Sequence, residues 1–191
     1  MRKQEELSKY QHRILTIPNI LSFVRLCMIP LFIWIYCVRK NYALTGAVIL
    51  LSGMTDLADG FIARHFHMIS DLGKVLDPVA DKLTQAAVLF CLVTRFPFML
   101  VPLILMVFKE CYMAVAGAMA IKKTGKVVGA QWHGKMVTAL LYAMMIVHVF
   151  WYDIPMVASN VMIIACVAMM LVSVALYGRY YGKILRKAKE R

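Results

Sequence analysis

Four aspartates, Asp56, Asp59, Asp77 and Asp81, fall inside one 26-residue window of a chain that has only ten acidic residues. All four lie in or beside apolar runs. At the centre of a bilayer an ionised carboxylate costs about 2.5–3.5 kcal/mol even on a lenient insertion scale, so four together demand a compensating cation. Asp56 and Asp59 are three apart and share a helix face with Gly60; Ala63 lies one turn on, and Arg64 follows Gly60 by four. Asp77 and Asp81 are four apart, and Pro78 suits the first turn of a helix capped by Asp77. If the two segments pair as an antiparallel hairpin, both carboxylate pairs converge. Carboxylates without a neighbouring imidazole or thiolate make an all-oxygen site, which suits Mg²⁺, Mn²⁺ or Ca²⁺ rather than zinc or copper. Mg²⁺ commonly completes its shell with substrate phosphates, so a phosphate-bearing substrate is the natural partner, with Arg64 as a phosphate contact and Gly60 and Ala63 leaving room for a flat base.

The elements that hold these residues must be membrane helices. The composition is 62% hydrophobic and 17% charged, with mean hydropathy +0.71. That excludes a disordered chain, a disulfide scaffold and an ordinary soluble enzyme. Apolar runs place six spans near residues 17–38, 43–64, 76–95, 97–121, 134–152 and 154–177. The expected organisation is an all-α integral membrane protein: a cytoplasmic interfacial segment over 1–16, a six-span domain over 17–178, and a basic cytoplasmic tail over 179–191. The first run is too long for a signal-peptide core and no cleavage site follows it. Residues 1–15 mix Lys, Arg and Glu with Leu7, Tyr10, Ile14 and Leu15, as a short interfacial helix does.

Sixteen of the 22 Lys and Arg residues fall on one side of this topology, in the N-terminus, the second and fourth connections and the tail. Arg39, Lys40 and Arg95 fall on the other, and Arg25, Lys82 and Lys109 lie within spans. By the positive-inside rule both termini and the aspartates' edge are cytoplasmic. The net charge of +12 is therefore concentrated on the cytoplasmic face, where the basic tail is first a topology determinant and second an attraction for anionic headgroups. It has no aromatic interleaving or nucleic-acid motif beside it, so no nucleic-acid partner is expected.

The string from Asp56 to Asp81 also reads D-x2-D-G-x2-A-R-x8-G-x3-D-x3-D, with all eight specified positions filled. This resembles the signature of the CDP-alcohol phosphotransferases, and the six-span layout is similar to that family over nearly the whole chain. The resemblance implies displacement of CMP from a CDP-linked lipid by a second alcohol. It implies that Asp56, Asp59, Asp77 and Asp81 hold two divalent ions, Mg²⁺ or Mn²⁺, and that Gly60, Ala63, Arg64 and Gly73 line the CDP pocket. Asp81 is the general base in that scheme. From sequence alone either Asp77 or Asp81 can take the proton, because coupled carboxylates share their titration. Homodimerisation, usual in the resembling family, and residence in a bacterial cell (inner) membrane complete the expectation.

Two phrases are most like the phosphatidylglycerophosphate synthases: Ile17-Pro18-Asn19-Ile20-Leu21-Ser22-Phe23-Val24-Arg25 and Gly73-Lys74-Val75-Leu76-Asp77-Pro78-Val79-Ala80-Asp81-Lys82. The substrates this implies are CDP-diacylglycerol and glycerol 3-phosphate, with Lys135, Lys109 and Arg25 as acceptor-binding residues. Those synthases usually carry Arg-Glu and a later Arg in span four, and Gly-Lys-x-Lys opening span five. Here span four reads Lys109-Glu110 with no later Arg, and span five opens Gly134-Lys135-Met136-Val137. Arg grips phosphate bidentately and Lys only as a point charge. The weaker phosphate grip suits the alternative, a cardiolipin synthase that takes phosphatidylglycerol. An alternative of another class is a cation or proton transporter using the aspartates.

Other polar residues have simpler readings. Arg25 is balanced between a structural pair, with Glu110 or an aspartate, and a phosphate contact. Lys109-Glu110 is first an ion pair, Lys82 neutralises or snorkels, and His148 is a hydrogen-bonded packing residue. The five cysteines are odd in number and scattered, without a CxxC pair, and are read as packing residues. Small residues at 114–120 permit close helix contact, with a second subunit among the candidates.

Overall fold

The computed structural model describes residues 16–65, 72–124, 131–151 and 153–189; at 17, 18, 56–64, 74, 124 and 187–189 it describes the backbone alone. The expected interfacial helix over 1–15 lies outside the described residues. The described chain is all-helical, without a strand: α1 Ile17–Trp34, α2 Tyr42–His65, α3 Gly73–Val93, α4 Leu100–Thr124, α5 Trp132–Phe150 and α6 Met156–Lys189.

These helices fall where six spans are expected, but only four described stretches are long and apolar enough to cross a membrane. They are Asn19–Arg39, Pro97–Lys123, Trp132–Phe150 and Met156–Arg186. In α2 the described apolar part is Tyr42–Thr55, which stops short of Asp56, and α3 carries Asp77, Asp81 and Lys82 in its first three turns. The two helices outside the apolar set are thus the two that carry the aspartates.

Contacts divide the chain into two compact units, between Cys91 and Leu92. In the first, Thr16 caps α1 by accepting the Asn19 N–H at 3.4 Å, and Pro18 occupies the first turn, where no N–H is needed. α1 runs on through a π-helical turn, Ile35–Arg39, and ends at Lys40. Lys40 is left-handed, with φ 50°, and its N–H returns to the Ile35 carbonyl. Asn41 then caps α2, its Oδ1 accepting the Leu44 N–H at 3.0 Å. Two residues thus reverse the chain, and α1 packs along α2. Asn41→Ala is expected to cost about 1 kcal/mol, read as a lower unfolding midpoint in detergent, and Asn41→Asp should restore most of it.

The start of α3 corrects the sequence reading. The helix begins at Gly73 rather than at a cap on Asp77, with the Leu72 carbonyl accepting the Val75 N–H at 3.1 Å and the Leu76 N–H at 2.8 Å. Asp77 and Pro78 therefore sit inside the helix. Pro78 withholds the N–H that an unbroken helix would direct at the carbonyl of residue 74.

In the second unit α6 packs against both α4 and α5. Ala116 and Ala120 of α4 are buried in a cluster with Tyr177 and Tyr181 of α6. The small residues at 116 and 120 thus make room for this chain's own tyrosines, while Ala114 and Ala118 are exposed. Tyr177 accepts the Gln131 N–H at the start of α5 at 3.2 Å, and its ring covers Gly134. His133 faces the same ring at 4.4 Å between centroids and pairs with Ser173 through Nδ1 at 3.1 Å.

At the other end of this helix pair, His148 Nδ1 lies 2.8 Å from the Met144 carbonyl and Nε2 lies 2.9 Å from Ser159 Oγ. A carbonyl only accepts, so Nδ1 carries the proton and Ser159 donates to Nε2. Both ring nitrogens are committed, in keeping with the packing role. The backbone of residues 179–189 is helical and continues α6.

Candidate active site

The helical period puts Asp77, Asp81 and Gln85 on one face of α3, each one turn beyond the last. Asp77 and Asp81 are both partly buried. Asp77 Oδ1 accepts a hydrogen bond from Ser22 Oγ of α1 at 2.5 Å, which ties α1 to α3 across 55 residues of sequence. Asp81 Oδ2 accepts one from Gln85 Nε2 at 2.9 Å. Lys82 Nζ lies 3.9 Å from that same oxygen, with both side chains about 30% exposed. A pair that wet is worth at most about 1 kcal/mol, which suits neutralisation rather than a catalytic task.

Gly73 is buried at the first position of α3. The backbone of α2 is helical through Asp56, Asp59, Gly60, Ala63 and Arg64, so Asp56 and Asp59 share a face there. The side chains of those five lie outside the described residues.

Arg25 is 2% exposed on α1. Thr16, Asn19 and Ser22 are buried as well, so a polar residue recurs every third position along α1, in a stripe that winds slowly round an otherwise apolar helix. Sequence reasoning singled out Arg25 in this stripe and missed the role of Ser22. The three-residue recurrence of Thr16, Asn19, Ser22 and Arg25 is the signal that could have found it. Gln85 was missed too, although its spacing of four from Asp81 was available.

Lys109 and Lys135 belong to the second unit. Lys109 is buried and its Nζ lies 3.0 Å from Glu110 Oε1, which makes the expected ion pair. Lys135 is exposed one residue beyond Gly134 at the start of α5.

The family model for CDP-alcohol phosphatidyltransferases matches residues 15–176. The chain belongs to this family. Among curated relatives of this CDP-alcohol phosphatidyltransferase family member, a cardiolipin synthase (CMP-forming) from Streptomyces coelicolor is 46% identical over 77 residues. That match covers 37% of this chain and 35% of the relative. A CDP-diacylglycerol–glycerol-3-phosphate 3-phosphatidyltransferase from Rickettsia bellii is 33% identical over 96 residues, 49% of this chain and 53% of the relative. A chloroplastic/mitochondrial protein of the same activity name from Arabidopsis thaliana is 32% identical over 130 residues, 62% of this chain and 44% of the relative. The matches thus span between about a third and about half of each relative's length.

Proposed function

We propose that the protein transfers a phosphatidyl group from CDP-diacylglycerol to glycerol 3-phosphate, giving phosphatidylglycerophosphate and CMP. The observation that carries this reading is the complete eight-position signature, Asp56 to Asp81, inside a family match that runs over residues 15–176. The family match also weighs against a cation or proton transporter.

The donor set fits a hard divalent cation: Asp77 and Asp81 present carboxylate oxygens one turn apart, bonded to neutral O–H and N–H donors. Asp56, Asp59, Asp77 and Asp81 would hold two Mg²⁺ or Mn²⁺ ions, which when bound neutralise charge on the diphosphate and hold the leaving phosphate. Gly60, Ala63, Arg64 and Gly73 bind the CDP moiety, with Arg64 as the phosphate contact. Asp81 takes the proton of the attacking hydroxyl as its oxygen bonds to the phosphatidyl phosphorus. The bond from that phosphorus to the CMP oxygen breaks, and CMP leaves.

Lys135, Lys109 and Arg25 are the acceptor-binding residues of this proposal. Lys135→Ala should raise the KM for glycerol 3-phosphate about 10–100-fold, the worth of one charged hydrogen bond, with kcat little changed. No such rise is expected for phosphatidylglycerol, whose attacking glycerol carries no phosphate monoester. A second acceptor reading, phosphatidylglycerol, is favoured by the higher identity to a protein named as a cardiolipin synthase and by the thinned basic set at Lys109 and Val137.

An acceptor competition tests the choice. Purified protein in detergent micelles, with CDP-diacylglycerol and Mg²⁺, is offered both acceptors while CMP and lipid products are followed by mass spectrometry. Phosphatidylglycerophosphate is the expected product, cardiolipin would replace it under the second reading, and no CMP release would overturn both. The proposal also places six spans in a bacterial inner membrane with both termini and the site cytoplasmic. Exposed Ala114 and Ala118 offer a contact between two copies.

A further inference from the structure

We propose that Ser22 and Gln85 are positioning residues that fix the planes of the Asp77 and Asp81 carboxylates for cation binding. The inference rests on the reading of those carboxylates as metal-holding groups. An aspartate's terminal torsion is broad, so the backbone alone does not decide where its oxygens point. At Asp77 that freedom is removed from another helix: Ser22, 0% exposed on α1, donates to Oδ1. At Asp81 it is removed from the same helix: Gln85, 1% exposed one turn on, donates to Oδ2. Each carboxylate therefore has one named oxygen tied by a buried donor.

The chemistry of the two donors suits this task. Both are neutral, so they orient a carboxylate without cancelling the negative charge that attracts a cation, as a buried Arg or Lys in their place would. A charged neighbour, Lys82, stays 3.9 Å from Asp81 Oδ2 and is partly solvated. Outer partners of metal ligands commonly carry about 10–100-fold in affinity or activity. A purely structural role would give the same two hydrogen bonds but would leave cation affinity unmoved once the protein has folded.

The test is Mn²⁺ binding by the full chain in detergent micelles without substrate, with unbound Mn²⁺ followed by electron paramagnetic resonance and unfolding midpoints recorded alongside. Ser22→Ala and Gln85→Met, which remove the donors at similar bulk, should each weaken Mn²⁺ binding about 10–100-fold. Ser22→Thr keeps the hydroxyl and should bind like the unaltered chain. If Ser22→Ala does not fold, Ser22→Cys carries the test, since a thiol is a weak donor and should show the loss. Folded Ser22 and Gln85 variants with unchanged affinity, beside an Asp77→Asn variant that has lost it, overturn the positioning role and leave the metal reading standing. Undiminished binding by Asp77→Asn, or none by the unaltered chain, overturns the metal reading and this proposal with it.

Discussion

Asp77→Asn is expected to lower Mg²⁺-dependent CMP release by about 10³-fold or more, about 4 kcal/mol at 1.36 kcal/mol per decade. The substitution is nearly isosteric. Its amide oxygen can still accept the Ser22 hydroxyl, so the tie between α1 and α3 survives. What is lost is the negative charge, and with it the attraction for a divalent cation beside a diphosphate. The unfolding midpoint should therefore stay close to that of the unaltered protein while turnover collapses. Asp56→Asn and Asp59→Asn are expected to behave alike. An Asp77→Asn variant that turns over at the normal rate would refute the assignment of Asp77 to metal binding.

Gly134→Val should do the opposite, lowering stability first. A Cβ at this position would lie 3.2 Å from Tyr177 Cε2 and Cζ, and closer still to its hydroxyl. The ring has little room to yield: it is 1% exposed, faces His133, stacks on Tyr181 at 6.2 Å and packs with Ala116 and Ala120. Leaving glycine gains less than about 1 kcal/mol of helix propensity, whereas overpacking a closed site costs about 1–3 kcal/mol. Displacing Tyr177 also takes the acceptor from the Gln131 N–H, so a net loss of about 3 kcal/mol is expected, at the upper end of ordinary substitutions. Gly134→Ala should lose less, and Gly134→Ala combined with Tyr177→Phe should recover part of that. Unfolding midpoints of these variants in one detergent decide the matter. Unchanged midpoints for both single variants would rule out the packing role. The contrast with Lys135, one residue on, is sharp: stability is expected to move at Gly134 and acceptor KM at Lys135.

The helices were legible because apolar runs of membrane length leave few other folds, and the aspartates because charge inside such runs is an exception that needs a reason. Their spacing carried the family, since eight fixed positions in 26 residues leave little to chance. The beginning of α3 was not legible: Pro78 looks like a first-turn proline, but the helix tolerates it one turn further in. That α6 runs helical to Lys189, past the apolar span expected over 154–177, was not legible from hydropathy, since hydropathy marks the bilayer's width and Lys, Arg and Leu beyond it are good helix formers. The partner of Asp77 was out of reach for another reason. Ser22 lies 55 residues away, and which faces of α1 and α3 meet is decided by tertiary packing. Tyr177 over Gly134 is the same kind of fact.

The bridge made by His148 has a bearing on how the protein is assembled in its membrane. α5 and α6 emerge from the ribosome in succession, separated only by residues 151–155. Apart from α6, His148 of α5 would keep its Nδ1 bond to the Met144 carbonyl but lose the partner of Nε2. Released as a hairpin, the two helices satisfy one another through Nε2 and Oγ. The bridge thus closes the α5–α6 turn with a side-chain bond, which favours the two helices entering the bilayer as one hairpin.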